Sequence, residues 1–376
     1  MIKPRVHLIA AARPNFMKVA PLWHALAASE AFEPVLVHTG QHYDANMSDD
    51  ILRDLKLPPP AHRLGIGSGS HAEQTAGVMI AYEKVALADR PDWLVVVGDV
   101  NSTAAPAMVG AKLLITVVHL EAGLRSRDRA MPEEINRLVT DVIADVLWTP
   151  SPDADENLRA EGVPDDRITR VGNIMLDSFE LVRPRIEAAA MARSLGLEAG
   201  GYGVVTLHRP SNVDDPAKLG ELVDALVAVQ ARLPLVFAVH PRTAARLALF
   251  GLRERLEASG IRLVDPLPYV QFMSLVVDCA AAITDSGGIQ EETTYLGIPC
   301  LTLRENTERP ITIDQGTNRL VRAAGLEEAV ATALGGSEPR ERPELWDGRA
   351  AERCVADLLR RSERRRQLVP EALIKV

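Results

Sequence analysis

Short apolar runs rich in Val, Leu and Ile recur along the chain, and most of them end abruptly in a polar cluster. They include VHLIAA (6–11), PVLVH (34–38), WLVVVG (93–98) and LLITVVHL (113–120), then GVVTLH (203–208), PLVFAVH (234–240), IRLVDPL (261–267), AAITDS (281–286) and IPCLTL (298–303). Longer stretches of helical periodicity separate them. Runs this short and this apolar suit strands buried on both faces, and their alternation with helices predicts parallel sheets built from repeated strand and helix units. The predicted class is α/β. At 376 residues the chain is too long for one ordinary core. Two Rossmann-like doubly wound domains are expected, with the break near 172–200, where the helix-like segment FELVRPRIEAAAMARSLG gives way to the glycine-rich EAGGYG. We place the domains at 1–172 and 173–360, with 361–376, including part of RRSERRR, as a charged helix or tail.

The polar clusters mark where a ligand would sit. Asp99 follows WLVVVG, Glu121 follows LLITVVHL, His208 and Arg209 follow GVVTL, His240 and Arg242 follow PLVFAV, and Asp285 and Ser286 follow AAIT. In open parallel sheets ligands bind outside the C-terminal ends of the strands, whereas ordinary surface charge populates helix faces. Composition narrows the ligand. A net charge of −9 argues against a general nucleic-acid or anionic-membrane surface. Any anion must be caught by a local basic pocket.

Other chemistries lack their signatures. Cys279, Cys300 and Cys354 are far apart and form no C-x-x-C, and the nine histidines show no metal-ligand spacing, so no metal is expected. ARPNFMK (12–18) supplies Arg13 and Lys18 where a dinucleotide enzyme carries G-x-G-x-x-G, and GIGSGS (65–70) reads as a loop; no NAD or other cofactor is expected. No apolar run approaches the roughly 20 residues needed to span a bilayer, and a cytoplasmic protein is expected.

TDSGGIQEE (284–292) places Ser286, Gly287 and Gly288 at a strand-to-helix turn. Glycines allow close backbone approach, and the free N–H groups of a helix start favour phosphate. The alternative is an ordinary serine-capped helix. Glu292 one turn further on can accept from ribose hydroxyls, and Arg304 and Arg309 follow downstream. His208 in HRPSN reads as a phosphate ligand or an acid.

Together ARPNFMKVAPL, TGQHYD, VVVGDVNSTAA, HLEAGLRSRDRAMPEEINR, VGNIMLDS, TLHRPSNVD, ITDSGGIQEETTYLGIPCLTLRENTERP and QGTNRLV resemble, in order and spacing from about 5 to 322, the non-hydrolysing UDP-N-acetylglucosamine 2-epimerases. The resemblance implies a GT-B type fold, a homodimer, a UDP-sugar substrate held mainly by the second domain, and the sugar in an interdomain cleft. It implies that Asp99, Glu121 and Glu133 are active-site carboxylates and that Arg13 and Lys18 are a basic pair. It places His208 near the diphosphate, Phe272 against uracil, and Ser286, Gly287, Gly288, Glu292 and Arg309 on the nucleotide. The sequence departs at Ala11, Ala12 and Asn15. QHYD (41–44) also departs, from the QHR of members activated by their own substrate.

The implied chemistry fits these residues. C2 of an N-acetylhexosamine has no adjacent carbonyl, so its proton is not removable by simple enolisation. Elimination of UDP to a glucal-type intermediate, followed by re-addition, requires carboxylates near C2 and positive charge at the departing diphosphate. Arg125 and Arg137 are placed to orient the carboxylates, with a helix-surface role for Arg137 as the alternative. A hydrolysing epimerase, a GT-B glycosyltransferase and a non-catalytic nucleotide-sugar sensor are the competing readings.

Overall fold

The computed structural model describes residues 3–40, 52–336 and 342–368, apart from the side chains of Arg13 and Leu368; QHYD (41–44) lies outside the described residues. The chain forms two compact units. The first runs to Leu181 and resumes at Glu344; the second is Val182–Pro343.

The first unit holds a seven-stranded sheet: β1 (Arg5–Ala10), β2 (Glu33–His38), β3 (His62–Arg63), β4 (Trp93–Val97), β5 (Thr116–Leu120), β6 (Val146–Thr149) and β7 (Ile168–Arg170). Its order is β3-β2-β1-β4-β5-β6-β7, and every pairing is parallel. The second unit repeats the plan with β8 (Gly203–Thr206), β9 (Leu235–Ala238), β10 (Arg262–Val264), β11 (Ala281–Thr284), β12 (Cys300–Thr302) and β13 (Asn318–Leu320). Its order is β10-β9-β8-β11-β12-β13, again all parallel. Both are doubly wound Rossmann-like sheets that reverse strand order once, between β1 and β4 and between β8 and β11.

The central strands are buried throughout, β4 from Trp93 to Val97 and β11 from Ala281 to Thr284. Helices cover them closely. In the helix Asn101–Lys112, a Cβ at Gly110 would meet the Leu94 and Val117 side chains at 2.6 and 2.9 Å. A glycine inside a helix costs about 0.5–1 kcal/mol relative to alanine. Here it permits contact with both strands. Ser70, at the end of GIGSGS, caps the helix His71–Ala88: its Oγ accepts from Glu73 N at 3.2 Å, and Glu73 Oε2 accepts from Ser70 N at 2.8 Å.

The C-terminal segment groups with the first unit, which differs from an expected second domain reaching 360 and a tail from 361. Side-chain chemistry explains the return. The helix Ala350–Leu368 packs on the helix Arg13–Ser29. The Asp177 carboxylate accepts from Ala350 N and Ala351 N at 3.0 and 2.8 Å, and the Arg365 guanidinium lies 4.0 Å over the Trp93 ring. Buried Asp357 accepts from Trp148 Nε1 at 2.8 Å and pairs with Arg361 at 2.8 Å. The charged RRSERRR stretch is therefore the outer part of an amphipathic helix whose Cys354 and Leu358 are buried. Among the described residues no helix is long and apolar enough to cross a membrane.

Asp357→Ala strands the buried Trp148 N–H, a loss of about 1–3 kcal/mol. A lower urea midpoint with unchanged slope is the expected result, and an unchanged midpoint would refute the anchoring role.

Candidate active site

In the first unit the polar loops gather at the C-terminal ends of the strands flanking the reversal. Gly98, directly after β4, has φ +69°. A Cβ there would lie 3.3 Å from both Glu121 Oε2 and Lys18 Nζ, so glycine makes room for that ion pair. Lys18 stands in the second turn of the helix Arg13–Ser29. Glu121, directly after β5, is buried and has φ +72°, a left-handed conformation that L-residues adopt at a cost. Asp99 pairs with Arg137, whose Nε and Nη2 also donate to Glu134 Oε2 at 3.0 and 2.6 Å. Arg137 is buried, which removes the helix-surface alternative.

Glu134 organises this corner. Its carboxylate accepts from Ser126 N and Arg127 N at 3.0 and 2.9 Å as well as from Arg137. Burial raises its pKa, but these donors outweigh burial and hold it below the ordinary carboxylate range. The neighbouring Glu133, half-buried in the first turn of the helix Pro132–Ile143, lines a pocket of ≈ 260 Å³ with Ala12, His71, Gln74, Asn101 and Asn136. Asn136 Nδ2 donates to Asp99 O at 2.9 Å and to Asn101 Oδ1 at 3.2 Å, tying that wall to the β4 loop.

Arg125 acts elsewhere than expected. It pairs with Asp141 and Glu161 at 2.7 and 2.6 Å and touches none of the three predicted carboxylates. Asp141 in turn holds His119 Nδ1 at 2.6 Å, and His119 Nε2 lies 2.8 Å from Gly98 O. Burial works against the Asp141 charge, yet His119 and Arg125 keep its pKa low. Arg125 therefore supports the Gly98 turn from behind through His119. The side chain of Arg13 lies outside the described residues.

In the second unit, buried Asp285 joins the two loops that flank the reversal. It accepts from His208 N at 3.1 Å, Arg209 N at 3.0 Å and Asn212 Nδ2 at 3.1 Å, and its Oδ1 is 2.9 Å from His208 Nδ1. Burial raises its pKa, but the His208 contact and the other donors bring it below the usual carboxylate range. An ionised Asp285 selects the His208 tautomer with the proton on Nδ1, leaving Nε2 for a ligand.

His208, Ser286 and Phe272 line one pocket of ≈ 200 Å³ together with Thr206, His240 and Ile289. Ser286 is the N-cap of the helix Gly287–Leu296, but its side chain makes no cap hydrogen bond. A Cβ at Gly287 would meet Arg309 Nη1 at 2.8 Å, whereas one at Gly288 would meet nothing within 4 Å. A side chain at Gly287 would displace the Arg309 and Glu308 side-chain ends, and Gly288 faces open space at the helix start. Three guanidinium groups, Arg209, Arg304 and Arg309, surround Glu308 at 3.8, 2.9 and 2.7 Å, and Arg309 also pairs with Glu291 at 2.8 Å. Burial opposes the Glu308 charge, and Arg309 and Arg304 nevertheless push its pKa far down. This cluster beside a free helix start is the kind of positive, preorganised surface that receives a phosphate. The Arg242 guanidinium, in contrast, pairs with Asp214, while its backbone N–H donates to Nδ1 of the lining residue His240 at 3.2 Å.

Glu292 is buried and accepts from Tyr269 Oη at 2.6 Å. Burial, reinforced by Glu291, pushes its pKa up to about 8.

The family profile described as UDP-N-acetylglucosamine 2-epimerase matches residues 24–359. The chain belongs to this family. It is 38% identical over 360 residues to UDP-N-acetylglucosamine 2-epimerase of Methanocaldococcus jannaschii, covering 93% of this chain and 98% of the relative. It is 36% identical over 361 residues to UDP-2,3-diacetamido-2,3-dideoxy-D-glucuronate 2-epimerase of Pseudomonas aeruginosa, covering 94% and 99%. A crystal structure of the M. jannaschii UDP-GlcNAc 2-epimerase in complex with UDP-GlcNAc and UDP superimposes with a TM-score of 0.83 at 38% identity, covering 95% of this chain and 99% of that one. The fold class is thus the GT-B type of this epimerase family.

Sequence reasoning missed Glu134, His119, Asp141 and the structural role of Asp285. Only Asp285 had a usable signal, its place at a strand end.

Glu292 gives a pH test. A folded pKa raised above the unfolded one means that its contribution to stability is full below about 4.5 and is lost as pH rises through about 8. Glu292→Gln should therefore lose less melting temperature than the wild type between pH 5 and pH 9, each pH being an approximate bracket around that window. Parallel melting curves for the two proteins would refute the raised pKa.

Proposed function

We propose that the protein reversibly epimerises C2 of a UDP-linked 2-acetamido sugar, with UDP-N-acetylglucosamine and UDP-N-acetylmannosamine as the pair, by a non-hydrolysing route. The observation that carries this reading is a chain with two chemically different strand-end groups. One is an Asp285–His208 clamp beside an arginine cluster and an open helix start. The other consists of the Glu121–Lys18 and Asp99–Arg137 pairs at the ends of β5 and β4 and of Glu133 in a nearby pocket wall that Asn136 ties to the β4 loop. A diphosphate needs the first, and proton transfer at C2 needs the second.

In the proposed cycle a carboxylate takes the C2 proton while the C1–O bond breaks and UDP leaves with the bonding electrons, giving a C1=C2 glucal-type intermediate. A proton then arrives at the opposite face of C2, and the UDP oxygen re-forms the bond to C1. His208 Nε2, Ser286, the Gly287–Gly288 backbone and Arg309 receive the diphosphate, Phe272 packs on uracil, and Glu292 accepts from ribose. Lys18 and Arg137 orient Glu121 and Asp99. A cytoplasmic homodimer belongs to the same reading.

The similarity to the Pseudomonas aeruginosa enzyme supports a second substrate, a 2,3-diacetamido glucuronate. The somewhat higher identity to the Methanocaldococcus jannaschii enzyme, 38% against 36%, favours the first.

Incubation of the enzyme with each UDP-sugar in deuterated water, followed by NMR, distinguishes the outcomes. The C2 epimer of UDP-N-acetylglucosamine carrying deuterium at C2 is expected. Free UDP with free sugar would replace the proposal by hydrolysis, and turnover of the glucuronate alone would replace the substrate. Asp99→Asn and Glu121→Gln should each lower kcat by about 100-fold or more with UDP affinity retained, and a variant with a normal rate loses its assignment.

A further inference from the structure

A second cluster of ligating groups lies at the other end of the first sheet. His7 is near the start of β1, His62 opens the short edge strand β3, and Asp89 caps the C-terminus of the helix His71–Ala88, which leads into β4. One donor atom from each lies within 4.8 Å of the other two. His62 Nε2 is 2.8 Å from Asp89 Oδ2, and His7 Nε2 is 3.6 Å from the same oxygen.

An ion-pair cluster explains only part of this. Arg5 occupies Asp89 Oδ1, and His62 is satisfied by Oδ2. His7 is fully buried and its Nε2 has no hydrogen-bond partner, since 3.6 Å is beyond a hydrogen bond. Leaving a buried nitrogen in that state is costly, and the cost calls for an explanation. Its other nitrogen is engaged: Nδ1 lies 3.2 Å from the hydroxyl of buried Tyr82, which fixes the ring and directs Nε2 toward Asp89 and His62. Metal-ligating histidines carry such a second hydrogen bond as a rule.

We propose that His7 Nε2, His62 Nε2 and Asp89 Oδ2 bind a divalent transition metal of the zinc class, with Tyr82 orienting His7. Two imidazoles and one carboxylate oxygen suit zinc in a four-coordinate site completed by water, and the partial exposure of His62 and Asp89 leaves room for that water. The metal would cross-link β1, the two-residue strand β3 and the helix end, far along the strands from Gly98 and Glu121. It serves the fold of the first unit and takes no part in the reaction.

The test is a zinc titration of the chelator-treated full chain by calorimetry, with cobalt(II) as a spectroscopic substitute. One equivalent of zinc, a higher melting temperature and the intense visible bands of four-coordinate cobalt are expected. His62→Ala and Asp89→Asn should each abolish stoichiometric binding while keeping the metal-free melting curve, and Tyr82→Phe should weaken binding about 10- to 100-fold. Zinc bound by the wild type only below stoichiometry, or equally by His62→Ala and Asp89→Asn, would overturn the site and leave an ion-pair cluster.

Discussion

Each sheet reverses its strand order once, and that reversal determines where this chain can do chemistry. At the C-terminal ends of β1 and β4, and again of β8 and β11, the two following connections leave toward opposite faces of the sheet. Neighbouring strands there remain in register, Leu8 with Val95 and Thr284 with Thr206, so the residues just beyond them are neighbours with no covering helix. Elsewhere the central strands are buried on both sides and are mostly apolar, and a buried polar side chain such as His119 is tolerated only with its own partners. Charge is tolerated where the main chain itself emerges, and the chain places Gly98, Asp99, His208, Asp285 and Ser286 at those points.

The two units stabilise that charge differently. In the first, the Glu121 carboxylate is brought against Lys18 by a left-handed residue, next to a left-handed glycine whose missing Cβ leaves space for the pair. A conformation of this kind at a non-glycine residue costs of the order of 1–3 kcal/mol and survives only where the surroundings over-determine it. His119, Asp141 and Arg125 provide that support through the Gly98 carbonyl. In the second, Asp285 receives the backbone N–H groups of the very loop it positions, so the clamp and the polypeptide turn are one structure.

How much of this was legible follows from the range of each interaction. The strands that are apolar runs, such as WLVVV and AAIT, announced themselves, because burial on both faces leaves a local composition signal. β7 (ITR), β13 (NRL) and β3 (HR) did not, since a two- or three-residue edge strand needs little apolar surface. Asp99, Glu121 and Ser286 stand out in the sequence because position after a strand is a local property. Glu133 and Glu134 are indistinguishable by that criterion: one lines a pocket, while the other, buried, bonds the loop and Arg137, and only the helix phase separates them. The return of the Ala350–Leu368 helix rests on the Trp148–Asp357 hydrogen bond, between residues 209 apart in sequence, which no local pattern encodes.

Asp285 and Glu292 show how donors, rather than burial, decide the state of a carboxyl group. Both are buried within the second unit, only a few residues apart. Asp285 has two backbone N–H groups, an amide and a histidine around it, enough to overcome desolvation, and it stays ionised. Glu292 has one phenol, and Glu291 as an acidic neighbour, so desolvation wins and its pKa rises to about 8. A ligand diol that donates to Glu292 would supply the missing donors and favour the charged form. On the proposed reading, nucleotide binding and proton release from Glu292 are then linked, because whatever stabilises the carboxylate must bind more tightly as the proton leaves. Asp285, already ionised, gives a ligand no such lever and holds the His208 ring and its loop in place.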